Sequence, residues 1–178
     1  FPIGLSFFTF HALSLIIPVW KEKEKSLSLL GTLSHISFFP SLLAGPVLRK
    51  NDIDPRWEKQ WNWKDIEWTA AISRFMLGMT FKWVFASQAA VWADQTFQGM
   101  NDNAFEVLLG IHAYALQIFF DFAGYSHMAI AIAMFLGWKL PENFTQPYLS
   151  LSIQDFWRKW HRSLSFFFRD NVYIHMLG

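Results

Sequence analysis

The residues best suited to chemistry lie in the stretch 150–170, which reads SLSIQDFWRKWHRSLSFFFRD. His161 is the central candidate, because imidazole is the side chain whose charge changes most readily near neutral pH. At 100° per residue the stretch forms an amphipathic helix, and His161 falls between its two faces, beside Gln154 and Ser165. His161 can there titrate or donate a hydrogen bond, or it can be a structural histidine with satisfied hydrogen bonds.

The two faces of this predicted helix differ in kind. The apolar face contains Phe156, Trp157, Trp160, Leu164, Phe167 and Phe168. The polar face contains Asp155, Arg158, Lys159, Arg162 and Arg169. Phe166 is the one apolar residue that falls on the polar face. Ser152 is the predicted N-terminal cap of the helix. Such a helix is expected to lie in the membrane interface or to pack partly into the helix bundle, with its cations in the headgroup region.

Asp121 is the second candidate, because an acid between two apolar runs is costly and by default marks a functional position. The nearby Gly124 offers a different explanation. If the helix breaks there, Asp121 is a cap or a buried acceptor that holds the break. Arg74 and Lys82 lie eight residues apart on nearly one face of an earlier segment, where they can snorkel or pair with an acid such as Asp94.

The sequence lacks the residue patterns that several other kinds of functional site require. The chain has no cysteine, and none of its six histidines forms a pair four residues apart, so no metal site is expected. It contains neither a G-x-S-x-G serine motif nor a glycine-rich phosphate loop. The net charge of +1 does not favour nucleic-acid binding. These residues by themselves indicate a polytopic membrane protein with an intramembrane polar site.

The composition and the distribution of charge define the elements that hold these residues. The chain is 53% hydrophobic, 19% aromatic and only 16% charged. Uncharged or nearly uncharged runs predict membrane segments at about 1–20, 26–48, 69–93, 104–120 and 122–138. The predicted fold is all-α, a polytopic membrane protein whose multi-helix core carries a re-entrant or interfacial amphipathic helix over 150–170. A transporter or channel segment is an alternative, but it predicts an internal repeat that the sequence lacks.

Ordered motifs along the chain resemble the membrane-bound O-acyltransferases. They are PIGLSF at 2–7, AGPVLR at 44–49, FFDFAGYS at 119–126, LGW at 136–138, PENF at 141–144, QPY at 146–148, FWRKWH at 156–161 and SLS at 163–165. The similarity is to the bacterial branch of alginate O-acetylation and teichoic acid D-alanyl transfer, and it spans nearly the whole chain. His11, His127, Arg162 and residues 166–168 depart from the commonest pattern, which leaves the acceptor open.

The resemblance implies a multi-pass enzyme of the inner (cytoplasmic) membrane with a funnel or tunnel through its helices. Such a protein transfers an acyl group to a hydroxyl of an extracytoplasmic polysaccharide or cell-envelope polymer. Acetyl is the acyl group expected here. The donor would be acetyl-CoA or an acyl-carrier protein, without a permanently bound cofactor. The implied partners are the lipid bilayer, the acyl donor, the polymer acceptor and an extracytoplasmic acyltransferase. Nucleic acid is not expected as a partner.

His161 matches the histidine of the family's R-x-W-H-x-S-L-S stretch, which implies a role in positioning or proton handling. Asp121, Gln154, Arg158 and Ser165 are the predicted lining residues. The family's other histidine follows a tryptophan in a later hydrophobic segment that this sequence does not contain. The chain is therefore expected to be the central portion of a single such domain, truncated at both ends and inactive alone. A non-catalytic membrane subunit is the alternative.

Overall fold

The computed structural model describes residues 4–21, 28–49, 52, 62–100 and 103–173, and all regular structure in these ranges is helical. The α-helices are α1 (Leu5–Trp20), α2 (Leu29–Ile36), α3 (Trp68–Met79), α4 (Ser87–Phe97), α5 (Ala104–Phe135), α6 (Ile153–Lys159) and α7 (Arg162–Phe168). The π-helical segments Thr80–Ala86 and Arg169–Tyr173 follow α3 and α7. Short 3-10 turns occupy Phe39–Ser41, Trp63–Asp65 and Pro147–Leu149. The predicted all-α class is confirmed for these ranges, whereas the segment ends at 1–3 and 26–27 lie outside them.

Helix α5 is the longest element, with 32 residues. The Asn103 side chain begins it by accepting a hydrogen bond from the Glu106 amide at 3.0 Å, and Gly137, with φ 78°, follows its end. Within the described ranges it is the one helix long and apolar enough to cross a membrane. The sequence analysis placed two segments here, with a possible break at Gly124. The structure corrects this, because α5 continues unbroken through Asp121 and Gly124.

Gly124 allows a second helix to approach α5 closely. Helices α3 and α4, with the π-helical segment between them, form one helical run that packs along α5. A Cβ atom on Gly78 would lie 2.7 Å from the Gly124 carbonyl oxygen, and one on Gly124 would lie 2.8 Å from the Gly78 carbonyl oxygen. Small residues of this kind let membrane helices approach each other. Gly124 therefore serves helix packing and does not end a helix.

Substitution of Gly124 by alanine is expected to lower the stability of the protein. The added methyl group would also lie 2.9 Å from the Lys82 amide nitrogen. The two helices would have to separate, at a cost of about 1–3 kcal/mol. Thermal unfolding in detergent, followed by tryptophan fluorescence, measures the loss. Ser73→Thr adds a methyl group at an exposed position of α3 and is the control; an equal loss in both variants would contradict tight packing at Gly124.

The N-terminal part is less regular than predicted. Helix α1 covers most of the predicted segment 1–20, whereas the described part of the segment 26–48 contains one α-helix, the eight-residue α2, and the 3-10 turn Phe39–Ser41. The Ser28 side chain caps α2 with a hydrogen bond of 3.1 Å. Pro40 and Pro46 then prevent a longer helix, because proline has no amide hydrogen to donate. Eight helical residues extend over about 12 Å, which is too short to cross a membrane.

A small apolar core joins the loop after α2 to the C-terminal half of α5 and the residues that follow it. The core contains Phe38, Leu48, Ile130, Ala133 and Leu140, with Met134 and Trp138 packed against it. These three parts of the chain therefore have a fixed relative position. The same parts of the chain carry Val47, Phe122 and Asn143, which contact α7 or His161.

Candidate active site

The predicted amphipathic helix over residues 150–170 is not a single helix. It begins as predicted at Ser152, whose side chain caps the first turn with a hydrogen bond of 3.1 Å. Helix α6 then ends, Trp160 is extended with ψ 126°, and His161 adopts the left-handed conformation with φ 43°. Helix α7 begins at the next residue. The prediction of a continuous helix is wrong here, and the histidine lies at the break.

Two backbone hydrogen bonds explain this break. The Thr145 amide donates to the carbonyl of Lys159 at 3.1 Å, and the Arg162 amide donates to the carbonyl of Asn143 at 2.9 Å. The loop 143–145 thus supplies partners for backbone groups at the ends of α6 and α7. A non-glycine residue in a rare backbone conformation costs on the order of 1–3 kcal/mol, which such bonds can offset. The sequence periodicity of one segment cannot reveal this partner loop.

His161 is half-buried against two aromatic rings. Its ring meets Phe122 of α5 edge-on, with ring centres 4.7 Å apart, and lies 6.3 Å from the ring of Phe7 in α1. Its Nε2 atom is buried and has no hydrogen-bond partner among the described residues. Burial lowers the pKa of His161 from 6.5 to about 4, because the imidazolium would lose its hydration. The imidazole is therefore neutral at pH 7, and its Nε2 can form a hydrogen bond with a bound molecule.

A buried chain of hydrogen bonds lies beside His161. The Val47 amide donates to Ser163 Oγ at 2.9 Å, and the Ser163 hydroxyl donates to Asn143 Oδ1 at 2.9 Å. Asn143 Nδ2 in turn donates to Ser126 Oγ at 3.1 Å. Asn143 and the two serines are at most 4% exposed. The side-chain amide of Asn143 thus connects α5, α7 and two loops, and it fixes the residues that hold His161. We call these four residues the Asn143 network.

The sequence analysis did not assign a role to the Asn143 network. Its members appear there only as letters within motifs. Asn143 was the available signal, since an uncharged amide in a short loop between apolar helices needs partners if it is buried. Which groups satisfy it depends on contacts between parts of the chain that are far apart in sequence.

Two further histidines anchor the loop after α2. His11 of α1 and His35 of α2 are fully buried, with ring centres 6.0 Å apart. Ser14 Oγ lies 3.3 Å from His35 Nε2 and donates to the Leu48 carbonyl at 2.7 Å. The described residues contain no group of three or more side chains suited to a metal ion. Through Ser14 the histidine pair packs against the loop that places Val47, one residue before Leu48, in the Asn143 network.

The other predicted lining residues on this segment do not meet His161. Gln154 and Arg158 are exposed on α6, and in the described ranges no hydrogen bond or ion pair joins either to the histidine. The Ser165 hydroxyl donates to the Trp160 carbonyl at 3.2 Å and so supports the break from the α7 side. Their predicted proximity assumed a continuous helical wheel, which the break invalidates.

Asp121 faces a different side of α5 from Phe122, the residue that contacts His161. It forms an ion pair with Lys82 in the π-helical segment, and both line a pocket of about 180 Å³ together with Gln117. Successive residues of a helix point about 100° apart, which separates this pocket from the histidine. Because α5 continues unbroken through residue 121, Asp121 is not a helix cap. Lys82 pairs with Asp121 and not with Asp94, the acid suggested from the sequence.

Removal of either charge of the Lys82–Asp121 pair is expected to destabilise the protein more than removal of both. Both side chains are partly exposed beside the apolar helix α5, and within a membrane span a single remaining charge has no partner. Asp121→Asn and Lys82→Gln, alone and combined, form a double-mutant cycle with an expected coupling energy of about 1 kcal/mol. Thermal unfolding in detergent measures it. Strictly additive losses would show that the two charges are uncoupled.

The pKa of His161 is expected to lie well below that of a free imidazole. NMR of ¹³C-labelled histidine, assigned with His161→Asn, should give a midpoint near 4. Phe122→Ala removes the ring at 4.7 Å and should raise the midpoint towards 6.5. The unfolded chain binds more protons than the folded protein between these pH values, so stability should fall as the pH falls through this interval. A wild-type midpoint near 6.5 would contradict a desolvated imidazole.

Comparison with known proteins agrees with the motifs. Residues 5–178 match the family model described as MBOAT, membrane-bound O-acyltransferase family. The chain is 40% identical over 178 residues to "Probable alginate O-acetylase AlgI" of Pseudomonas aeruginosa, with 99% of this chain and 34% of that protein covered. It is 33% identical to the "Peptidoglycan O-acetyltransferase" of Helicobacter pylori, with coverages of 99% and 39%. It is 32% identical to the "Teichoic acid D-alanyltransferase" of Bacillus subtilis, with coverages of 98% and 45%.

The chain thus spans between about a third and a half of the length of these relatives. The region matched by the family model includes α1 to α7, His161 and the complete Asn143 network. Since this match covers nearly every residue and agrees with the ordered motifs, the chain belongs to the membrane-bound O-acyltransferase family.

Proposed function

We propose that the protein containing this chain is an O-acyltransferase of the cytoplasmic membrane. It moves an acyl group, acetyl in the first instance, from a thioester donor to a hydroxyl of an extracytoplasmic polysaccharide or other cell-envelope polymer. The observation that carries the proposal is the family match over residues 5–178. The names of relatives that are 32–40% identical support it, since they refer to O-acetylation and D-alanyl transfer of alginate, peptidoglycan and teichoic acid.

His161 is suited to handle the acceptor hydroxyl in this reaction. The hydroxyl oxygen attacks the thioester carbonyl and loses its proton to a base, and the carbon–sulfur bond then breaks, so that the donor leaves as a thiol that takes up a proton. A base must take that proton, and donors must stabilise the negative oxygen of the intermediate. Neutral His161, with its buried Nε2 free of protein partners, can hold the hydroxyl or accept its proton. The rings of Phe7 and Phe122 shield this position from water.

The resemblance assigns the main base to the second family histidine, in a segment that follows these residues. His161 then orients the acceptor or moves its proton, which agrees with its fixed place at a backbone break. A donor such as acetyl-CoA or an acyl-carrier protein would approach from the cytoplasmic side. An extracytoplasmic acyltransferase partner could receive the acyl group before the polymer does. No permanently bound cofactor is part of this proposal.

Acyl transfer by the full-length protein in liposomes tests the proposal. Radiolabelled acetyl-CoA and an acetylated carrier protein serve as donors, and alginate, peptidoglycan and teichoic acid serve as acceptors. We expect label on the hydroxyl groups of at least one polymer, released by mild base as expected for an ester. Absence of label on every acceptor, both without and with the extracytoplasmic acyltransferase partner in the liposomes, would refute the proposed activity.

A further inference from the structure

Three arginines surround Phe166, a residue of helix α7. The guanidinium carbons of Arg49, Arg162 and Arg169 lie 5.3, 5.5 and 4.7 Å from the centre of the Phe166 ring. Arg162, Phe166 and Arg169 are spaced by four and three residues, so α7 and the following π-helical turn present them on one side. The misfit of Phe166 in the helical wheel is thereby explained, because its ring packs against cations. We call this group the Phe166 arginine cluster.

The fold holds Arg49 in this cluster although it comes from a distant part of the chain. Val47, two residues earlier, donates its amide hydrogen bond to Ser163 in α7 at 2.9 Å. Asp170 then links two of the arginines, with 3.4 Å from Arg49 Nη2 to its Oδ2 and 2.7 Å from Arg169 Nε to its Oδ1. The cluster is therefore assembled by buried contacts as well as by surface ion pairs.

The positive charge of the cluster is only partly neutralised. In the described ranges, Asp170 is the one carboxylate that pairs with its guanidinium groups, while the Asp52 carboxylate accepts a hydrogen bond from the backbone amide of Arg49 at 2.8 Å. Arg162 makes no ion pair there, and its Nε atom is buried without a hydrogen-bond partner. Three neighbouring cations repel one another, and an anion between them would reduce that repulsion. The side chains of Arg49 and Arg169 are 45% and 56% exposed, so a ligand can reach the cluster.

We propose that the Phe166 arginine cluster binds a phosphate group. The planar guanidinium group forms paired hydrogen bonds with phosphate oxygens, and a phosphate has enough oxygens for several arginines at once. A carboxylate has only two oxygens and fits three guanidinium groups less well. The phosphate can belong to an anionic lipid headgroup or to a soluble phosphate compound, because both present the same oxygens. Arg162 directly follows His161 in the chain, and Arg49 lies two residues after Val47 of the Asn143 network, so the cluster shares its backbone segments with the candidate active site.

Ligand-dependent thermal unfolding of the full-length protein in neutral detergent tests this site. The two probes are inorganic pyrophosphate and dioleoylphosphatidylglycerol, with dioleoylphosphatidylcholine as the lipid control. A ligand that binds the folded protein raises Tm as its concentration increases. We expect Arg162→Gln to weaken the apparent affinity for a bound probe by about tenfold or more. Arg158→Gln removes the same charge from an exposed position of α6 and should keep the wild-type affinity.

Each outcome supports or overturns the proposal. Stabilisation by phosphatidylglycerol alone identifies a lipid phosphate, and stabilisation by pyrophosphate alone identifies a soluble one. The proposal fails if neither probe stabilises the wild type, or if Arg162→Gln and Arg158→Gln weaken binding equally. If Arg162→Gln does not fold, Arg169→Gln replaces it with the same expected loss. Since no acyl transfer is measured, this result is independent of the proposed function.

Discussion

Replacement of His161 by alanine in the full-length protein should slow acyl transfer by at least about a hundredfold, since a positioned acid or base contributes roughly 10²–10⁴ to a rate. The substitution removes the buried Nε2 atom, which has no protein partner in the described ranges. It also removes a neutral imidazole whose pKa is held near 4 by burial. Membrane insertion should be unchanged, because His161 lies outside the long apolar helix α5. Transfer of radiolabelled acetyl groups in liposomes measures the effect.

A second substitution separates chemistry from backbone strain. The left-handed φ of 43° at His161 is unfavourable for alanine, whereas asparagine tolerates it. His161→Asn should therefore retain more thermal stability than His161→Ala but lose a similar factor in transfer rate. Wild-type activity of His161→Ala would remove the residue from the site. Recovery of activity in His161→Asn would mean that acyl transfer requires the left-handed backbone at residue 161 and not the imidazole ring.

Asn143→Ala should also lower kcat by about a hundredfold, with little change in the KM of the acyl donor. The substitution leaves Ser126 Oγ and Ser163 Oγ without one partner each and loosens α7 against α5. A displacement of about 1 Å in a reacting group can cost a hundredfold in rate. Asn143 is thus a positioning residue, since the structure gives it no contact with a reacting atom. Steady-state kinetics of the purified full-length variant separate kcat from KM.

A double mutant tests whether Asn143 acts through His161. In the His161→Ala background, Asn143→Ala should cause little further loss of residual activity, because residues that act as a unit are not additive. Glu142→Gln is the neighbouring control. It weakens the ion pair with Arg74 but leaves the Asn143 network in place, so kcat should be retained. Fully additive losses, or an equal loss of kcat in Glu142→Gln, would reduce Asn143 to a general structural role.

Local features of this protein were predictable from its sequence, and features set by distant partners were not. The helical class and the Ser152 cap depend on residue types within one segment, and the sequence contains that information. The break at His161 depends on backbone partners in loop 143–145, which no helical wheel includes. Gly124 was misinterpreted for the same reason, because its close neighbour is Gly78 on another helix.

Asp121 shows that the ion-pair partner of a charged residue is also hidden from the sequence. Its isolation between apolar runs correctly marked it as unusual, but its partner Lys82 is 39 residues away. The family resemblance correctly indicated membership, since several ordered motifs constrain it together. The network around Asn143 depends on which small polar groups meet after folding. Its members were visible in the motifs, whereas their hydrogen bonds were not.

The hydrogen bond between Val47 and Ser163 joins residues 116 positions apart. Ribosomes add residues from the N-terminus, so the Val47 amide is made long before its acceptor exists. Closing so long a loop is slow compared with forming a helix, because chain entropy must be lost first. A nascent chain that has not reached residue 163 can contain α1 to α6 and still lack an assembled site. Helices α1 to α6 can therefore form before the surroundings of His161, which can be completed only once Ser163 has been synthesised.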